Sequence, residues 1–256
     1  MKSSRIQVRI TSNELSEATK EEMWKVYKKY YHYERSYFMN RINQNNYFSF
    51  YRIDDKIVGF TGLRINRTSV GHREYLLIYF GQTIIDHAYR GNALIPRTAV
   101  QLCLKYWKDI ILGRVYVWAD ALTYKAYLVF AKTLHEYYPT YRKQAPAHIS
   151  KLIQFVGEEY YGNNFCPRSG TVRKKSVLVK DQTTLHTPGN TYDKDILYYK
   201  LANRNNDKGY GLITIAPIHF LNYLMMAAKC LKKIAMPKRK KYPIPTVPST
   251  HSPLTL

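Results

Sequence analysis

The chain has 256 residues, with 40 Lys and Arg against 18 Asp and Glu, for a formal net charge of +22. Its length suits one large domain or two small ones, and with 45% hydrophobic residues a chain disordered throughout is excluded. The charge points to polyanionic partners (nucleic acid, anionic lipid headgroups, nucleotide-like cofactors or an acidic carrier protein), or to a surface whose lysines simply keep the protein dispersed.

Arg5 to Thr11 alternates with period two and reads as a half-buried strand. Met1 to Thr11 holds no apolar run, so no secretory leader is expected. Thr19 and Glu22 form a capping box, and Met23, Val26, Tyr27 and Tyr30 recur at helical spacing, which predicts a helix from about Lys20 into the mid-thirties. Tyr47 to Ile53 and Lys56 to Ile65 are predicted strands joined by an Asp54-Asp55 hairpin turn. Arg73 to Ile85 is a longer strand, with a bulge expected at Gly81. Ile95, Ala99, Leu102 and Tyr106 then mark one face of a helix that tolerates Pro96 in its first turn. Arg114 to Asp120 is a strand, and Ala126, Phe130 and Leu134 mark a helix that must stop before Pro139. The order β-α-β-β-β-α-β-α is an α/β layout.

Beyond Tyr141 the pattern weakens. Ser176 to Lys180, Ile196 to Leu201 and Leu212 to Ile215 read as strands separated by polar, Asn-rich spacers. Gly209 to Ala228 carries no formal charge and precedes a run of lysines. Pro217, His219 and Asn222 at its middle oppose a membrane span. The reading adopted is a short buried strand, then an amphipathic helix from about Pro217 with Phe220, Leu221, Leu224 and Ala228 on its apolar side. That helix belongs to the core, walls a long-acyl pocket, or rests on an anionic membrane. Pro237, Pro243, Pro245, Pro248 and Pro253 mark a disordered or polyproline-like tail. The division that follows is 1–141 as a core, 142–236 as an extension completing the sheet and a pocket, and 237–256 as the tail.

The junction of strand Gln82–Ile85, turn Asp86-His87-Ala88-Tyr89 and helix-opening Arg90-Gly91-Asn92-Ala93-Leu94 carries the chemistry. A helix N-terminus offers unpaired N–H groups and the positive end of the dipole, and Arg90 adds charge, so the junction suits a pyrophosphate.

Over roughly Arg5 to Tyr141 the sequence resembles the GNAT superfamily of N-acyltransferases. Asp54-Asp55-Lys56-Ile57-Val58-Gly59-Phe60 is similar to that family's strand pair ending in "iVGf". Ile84 to Ala93 is similar to its signature for gripping the coenzyme A pyrophosphate, and Val115–Asp120 with Ala126–Phe130 and Lys132 to the strand and helix completing its notch. At the signature's glycine positions this chain has Ala93 and Ile95, Thr123 stands where many members have Asn, and Phe130 where many have Tyr. The resemblance implies a mixed, mostly antiparallel sheet with helices on both faces and a splayed-strand cleft. It implies donor contacts from Thr83, Ile84, Ile85, Arg90, Gly91, Asn92, Ala93, Leu94 and Thr123, with acyl-CoA or an acyl carrier protein as donor. An amine of an amino acid, peptide or protein is the acceptor. The drifted signature is closest in style to acyl-homoserine-lactone and N-acyl-amino-acid synthases, which favours a fatty donor, and an acidic carrier would be steered to a +22 surface.

An amine must be neutral to attack, so a base is needed; Glu74 is the candidate, against its reading as a surface carboxylate paired with Arg73. For the acid that protonates the thiolate, Tyr127 and then Tyr138 are considered, although most of the 25 tyrosines must serve packing or surface roles. The eight histidines lack metal-ligand spacing, so no metal is expected. Cys103, Cys166 and Cys230 fit no disulfide framework, which suits reduced thiols in the cytoplasm, with or without attachment to a membrane surface. The alternative is a noncatalytic nucleic-acid binder built on basic charge and tyrosine, for which no RNP, KH or helix-turn-helix signature is present.

Overall fold

The computed structural model describes residues 6–32, 34–174 and 192–235. Strand β1 (Gln7–Ser12) precedes helices α1 (Glu17–Tyr27) and α2 (Arg35–Asn43). The meander β2 (Tyr47–Ile53), β3 (Lys56–Val70) and β4 (Arg73–Ile85) leads to α3 (Leu94–Lys105), short α4 (Trp107–Ile111), β5 (Val115–Ala121) and α5 (Tyr124–Ala131). The chain continues through α6 (Ala147–Tyr161), β6 (Phe165–Cys166), β7 (Thr171–Arg173), α7 (Lys194–Ala202), β8 (Tyr210–Pro217) and α8 (Phe220–Ala235).

The strands form one 8-stranded sheet in the order β1-β2-β3-β4-β5-β8-β7-β6. β4 and β5 run parallel and the other neighbours antiparallel. This is the mixed, mostly antiparallel α/β sheet that the resemblance implied. Alternation sorts its side chains: Leu76 and Ile78 of β4 pack with α3, α5, α7 and α8, while Tyr75, Leu77 and Tyr79 face α6. Phe48, Phe50 and Phe60 bury the apolar sides of α1 and α2, on the same side as α6. Tyr51, Tyr127, Tyr137, Tyr138 and Tyr199 are fully buried, so much of the tyrosine excess is core.

Several elements form for reasons visible in the sequence. Asp54 and Asp55 both take positive φ, 46° and 63°, the paired left-handed conformation of a tight two-residue hairpin. Others differ from expectation. The helix expected from Lys20 into the mid-thirties ends at Tyr27 and resumes as α2, because Tyr31 stacks on Tyr27 and the Tyr30 hydroxyl accepts the His87 amide at 3.1 Å. Ser16 rather than Thr19 caps α1.

Ile196–Leu201 is not a strand but the body of α7. Asp193 caps it, and buried Asp195 binds Lys132 at 2.7 Å, Arg142 at 3.1 Å and the Tyr137 hydroxyl at 2.8 Å, which fixes a helix there. Helix α6, built on buried Ile149, Leu152 and Val156, was not anticipated. Leu212–Ile215 lies within β8 as expected, while the expected Ser176–Lys180 strand and the 237–256 tail lie outside the described residues.

In α8, of the alternatives left open for the apolar row, packing of Phe220, Leu221 and Leu224 into the core is not what the structure shows. Phe220, Leu221 and Leu224 are exposed, whereas Asn222, Met226 and Cys230 are buried. The reason is polar: the Asn222 side chain accepts the amides of His135 (2.7 Å) and Glu136 (2.9 Å) and donates to the carbonyls of Glu136 (2.8 Å) and Pro217 (2.6 Å). Among the described residues, no helix is long and apolar enough to cross a membrane.

Candidate active site

The pairing of β4 with β5 stops at Tyr79↔Trp118. Just beyond it the β3–β4 register shifts between Phe60 and Gly62, opposite Gly81, and Gln82 takes a φ of 44°. A side chain at Gly81 would place its Cβ 1.9 Å from the Tyr79 ring, so only glycine lets that ring fold back along the strand. The bulge turns Phe80–Ile85 away from Ala119–Ala121, and backbone groups facing the gap lose their ladder partners. The gap opens into a cavity of about 430 Å³ that crosses the sheet. Its volume lies within the roughly 300–1,000 Å³ of small-molecule sites.

On the α3 face the walls are Ile95, Pro96 and Ala99 of α3, Ala126 and Phe130 of α5, and Met226 of α8. Thr83, Ile84, Ile85, Arg90 and Thr123, expected to touch a donor, line the cavity. Gly91, Asn92, Ala93 and Leu94 do not line it; they shape the turn that leads into α3. Gly91 (φ 88°) and Ala93 (φ 53°) are left-handed, the Asn92 amide donates to the Tyr89 carbonyl at 2.8 Å, and Leu94 is core. Arg90 donates through Nε to the Ile85 carbonyl at 2.9 Å and lies over the Tyr30 ring. By helix geometry the Leu94 and Ile95 amides have no intrahelical partner, and Pro96 has no N–H. Ile95 forms part of the wall without closing the gap. The Thr123 hydroxyl caps α5 by accepting the Ala126 amide at 3.3 Å.

The three residues considered for proton transfer do not line the cavity. Glu74 lies at the opposite end of β4, exposed and paired at 2.9 Å with Arg114 rather than Arg73. Tyr127 is buried and donates to the Pro139 carbonyl at 3.0 Å, and burial pushes its phenol well up. Tyr138 donates to Glu136 at 2.8 Å.

On the other face the cavity holds a polar cluster that the sequence did not disclose. Asp120 is 8% exposed and receives Lys174 Nζ at 2.6 Å, the Tyr161 hydroxyl at 2.6 Å and the Tyr79 hydroxyl at 3.0 Å. Burial alone would push the Asp120 carboxyl up, but Lys174, Tyr161 and Arg41 hold it below its ordinary value. Burial pushes the Lys174 ammonium down, and Arg41 and Arg64 add to this against the pull of Asp120. Burial and the neighbouring Asp120 push the Tyr79 phenol up to about 12. Arg41, from α2, completes the cluster; burial opposes its charge, but Tyr79, Asp120, Tyr37 and Tyr27 keep it protonated. The Asp at the end of Arg114–Asp120 was the one legible sign, because a carboxylate closing an apolar strand needs a partner. Arg41 and Lys174 come from distant segments. Among the described residues no group of three or more His, Cys, Asp or Glu could hold a metal ion.

No protein-family model and no curated protein matches the chain. Among solved structures, it is similar to an Enterococcus faecalis V583 protein described as a probable N-acyltransferase (12% identity, TM-score 0.36; 49% of this chain, 32% of that one). It is also similar to the Escherichia coli GNAT family N-acetyltransferase YhbS in complex with CoA (10% identity, TM-score 0.34; 46% of this chain, 64% of that one). A third is the aminoglycoside acetyltransferase meta-AAC0020 from an uncultured soil metagenomic sample in complex with sisomicin (17% identity, TM-score 0.37; 55% of this chain, 92% of that one). The chain therefore spans about a third of the first and under two thirds of the second.

Proposed function

We propose that the protein is an N-acyltransferase that moves an acyl group from a pantetheine thioester to an amine. The observation that carries this reading is the cavity opened between β4 and β5. It passes through the sheet and has an α-helix N-terminus with Arg90 on one side and the Asp120–Lys174 pair on the other. An extended amide-bearing arm laid in such a gap meets backbone donors and acceptors left by the parted strands. A phosphate at its outer end meets the first turn of α3 and Arg90.

The reaction joins the amine nitrogen to the thioester carbon and breaks the carbon–sulfur bond. Backbone N–H groups in the gap stabilise the oxyanion that forms. One proton of the neutral amine must leave nitrogen, and one must reach the departing sulfur. Lys174, whose ammonium burial disfavours, takes the first when neutral and returns it to the thiolate, while Asp120 holds it in place.

The donor is a fatty rather than an acetyl thioester. The support is the apolar wall on the α3 face, where Ala99, Val117, Phe130, Leu134 and Met226 continue the cavity toward α8. Either coenzyme A or an acidic acyl carrier protein presents it, the second drawn by the +22 charge. Peripheral attachment to an anionic bilayer is supported by the exposed row Phe220 (69%), Leu221 (51%), Leu224 (44%) and Leu231 (67%) on α8, a helix without acidic residues. Cosedimentation with phosphatidylglycerol vesicles but not with phosphatidylcholine vesicles is its check.

The test of the activity is thiol release from acetyl-, octanoyl- and dodecanoyl-CoA in the presence of mixed amino acids and amines. Release that requires an amine and increases with chain length supports the reading. No release and no binding of any of the three would exclude it.

A further inference from the structure

The charges inside the cavity do not balance. Arg41, Arg90, Lys125 and Lys174 line it, with Asp120 as their single carboxylate counterpart among the described residues. Arg90 and Lys125 belong to the α3 face, where a phosphorylated donor brings its own negative charge. On the α1–α2 face, Asp120 is already held by Lys174, so Arg41, only partly exposed, has no ion-pair partner among the described residues. A sheltered guanidinium with no carboxylate in contact is costly and is ordinarily matched by an anion. A second observation points the same way. Gln82 accepts from Asn45 at 3.0 Å through Oε1, which leaves its Nε2 donors buried without a partner at a residue that also lines the cavity. Both features supply donors and ask for acceptor oxygens.

Resting on the acyltransfer reading, we infer that the acceptor is an α-amino carboxylate: an amine whose own carboxylate is received by Arg41 and Gln82 while its nitrogen faces Asp120 and Lys174. A planar carboxylate suits the guanidinium fork, and its two oxygens leave one free for the Gln82 amide. A simple alkylammonium would enter a chamber already in excess of positive charge. The carboxylate neutralises that excess and brings the amine with it, so the same contact supplies both affinity and orientation.

The test compares each of the twenty amino acids with its carboxamide, which keeps the amine and side chain and removes only the anion. Thiol release from dodecanoyl-CoA is measured for wild type, Arg41→Gln and Arg41→Lys, and dodecanoyl-CoA affinity is measured separately by calorimetry. At least one free amino acid is expected to be turned over with kcat/KM about tenfold or more above its amide, the scale of a charge-assisted hydrogen bond. Arg41→Gln should remove that difference through KM, Arg41→Lys should restore part of it, and donor affinity should not change. Amides reacting as well as acids, or only carboxylate-free amines reacting, would overturn the inference while leaving the activity standing. Weakened donor binding in Arg41→Gln would also overturn it, by placing the donor's phosphate on Arg41. Failure of the wild type to bind dodecanoyl-CoA at all would instead remove the underlying reading.

Discussion

Lys174 places its ammonium 2.6 Å from the Asp120 carboxylate and so ties the end of β7 to the margin of β5 that faces the gap. The pair is sheltered, with side chains 15% and 7% exposed, and two tyrosine hydroxyls complete the carboxylate's shell. Such a pair contributes little when both members are present, but removing one leaves a buried charge alone.

Lys174→Met is accordingly expected to destabilise the fold by about 3–5 kcal/mol. Folding lowers the Asp120 value, so ionised Asp120 stabilises the protein above the ordinary carboxylate range and loses that contribution as pH falls through its lower native value. Without Lys174 the burial cost is uncompensated and the native value rises. The acid-unfolding midpoint, followed by circular dichroism, should therefore move to higher pH in Lys174→Met. An unmoved midpoint would mean that the pair is not held together in solution.

In the proposed mechanism the same lysine governs the rate. Because its native value lies below the 10.5 of a free lysine, kcat/KM should rise with pH along a limb whose midpoint is below that value. Lys174→Met should abolish the limb and lower kcat by about 10²–10⁴-fold. A pH profile identical to wild type would assign the proton transfer to another group.

Gly81 can be tested through its neighbour. Gly81→Ala sets a methyl 1.9 Å from the Tyr79 ring, so the ring must swing out and release Asp120. A loss of about 1–3 kcal/mol is expected, typical of overpacking. Combining it with Tyr79→Leu should cost less than the sum of the two single changes, as urea denaturation would show. Strict additivity would mean that the two residues do not compete for that space.

How far the sequence discloses this molecule depends on how local each cause is. Asp54-Asp55, Gly81 and Pro96 act through their own backbones, and the structure has the turn, the bulge and the first helical turn where those residues require them. Helix α7 and the orientation of α8 depend instead on distant partners. Ile196–Leu201 reads as a strand until Asp195 meets Lys132, Arg142 and Tyr137. Whether Phe220 and Leu221 face the core stays open in the sequence until Asn222 finds four backbone groups, on His135, Glu136 and Pro217. The wall that the proposed function gives to the donor was legible as a run from Thr83 to Arg90. The opposite wall was not, because Arg41, Asp120 and Lys174 converge from three separate segments.

Asn222 tests that account of α8. Asn222→Leu leaves two amides and two carbonyls short of a partner, each costing about 1–3 kcal/mol, so a loss of about 3 kcal/mol or more is expected despite added hydrophobicity. Leu224→Asn, on the exposed row, should stay within about 0.5 kcal/mol of wild type. The opposite ranking in thermal denaturation would return the apolar row to the core.

The most direct measurement is a crystal structure of the protein with a non-hydrolysable dodecanoyl-CoA thioether. The pantetheine arm should lie between Phe80–Ile85 and Ala119–Ala121, with the pyrophosphate at the first turn of α3 beside Arg90. The carbon that replaces the thioester carbonyl should face Asp120 and Lys174. A ligand bound elsewhere, or a gap still empty at saturating ligand, would contradict the assignment of the parted strands as the place where acyl transfer occurs.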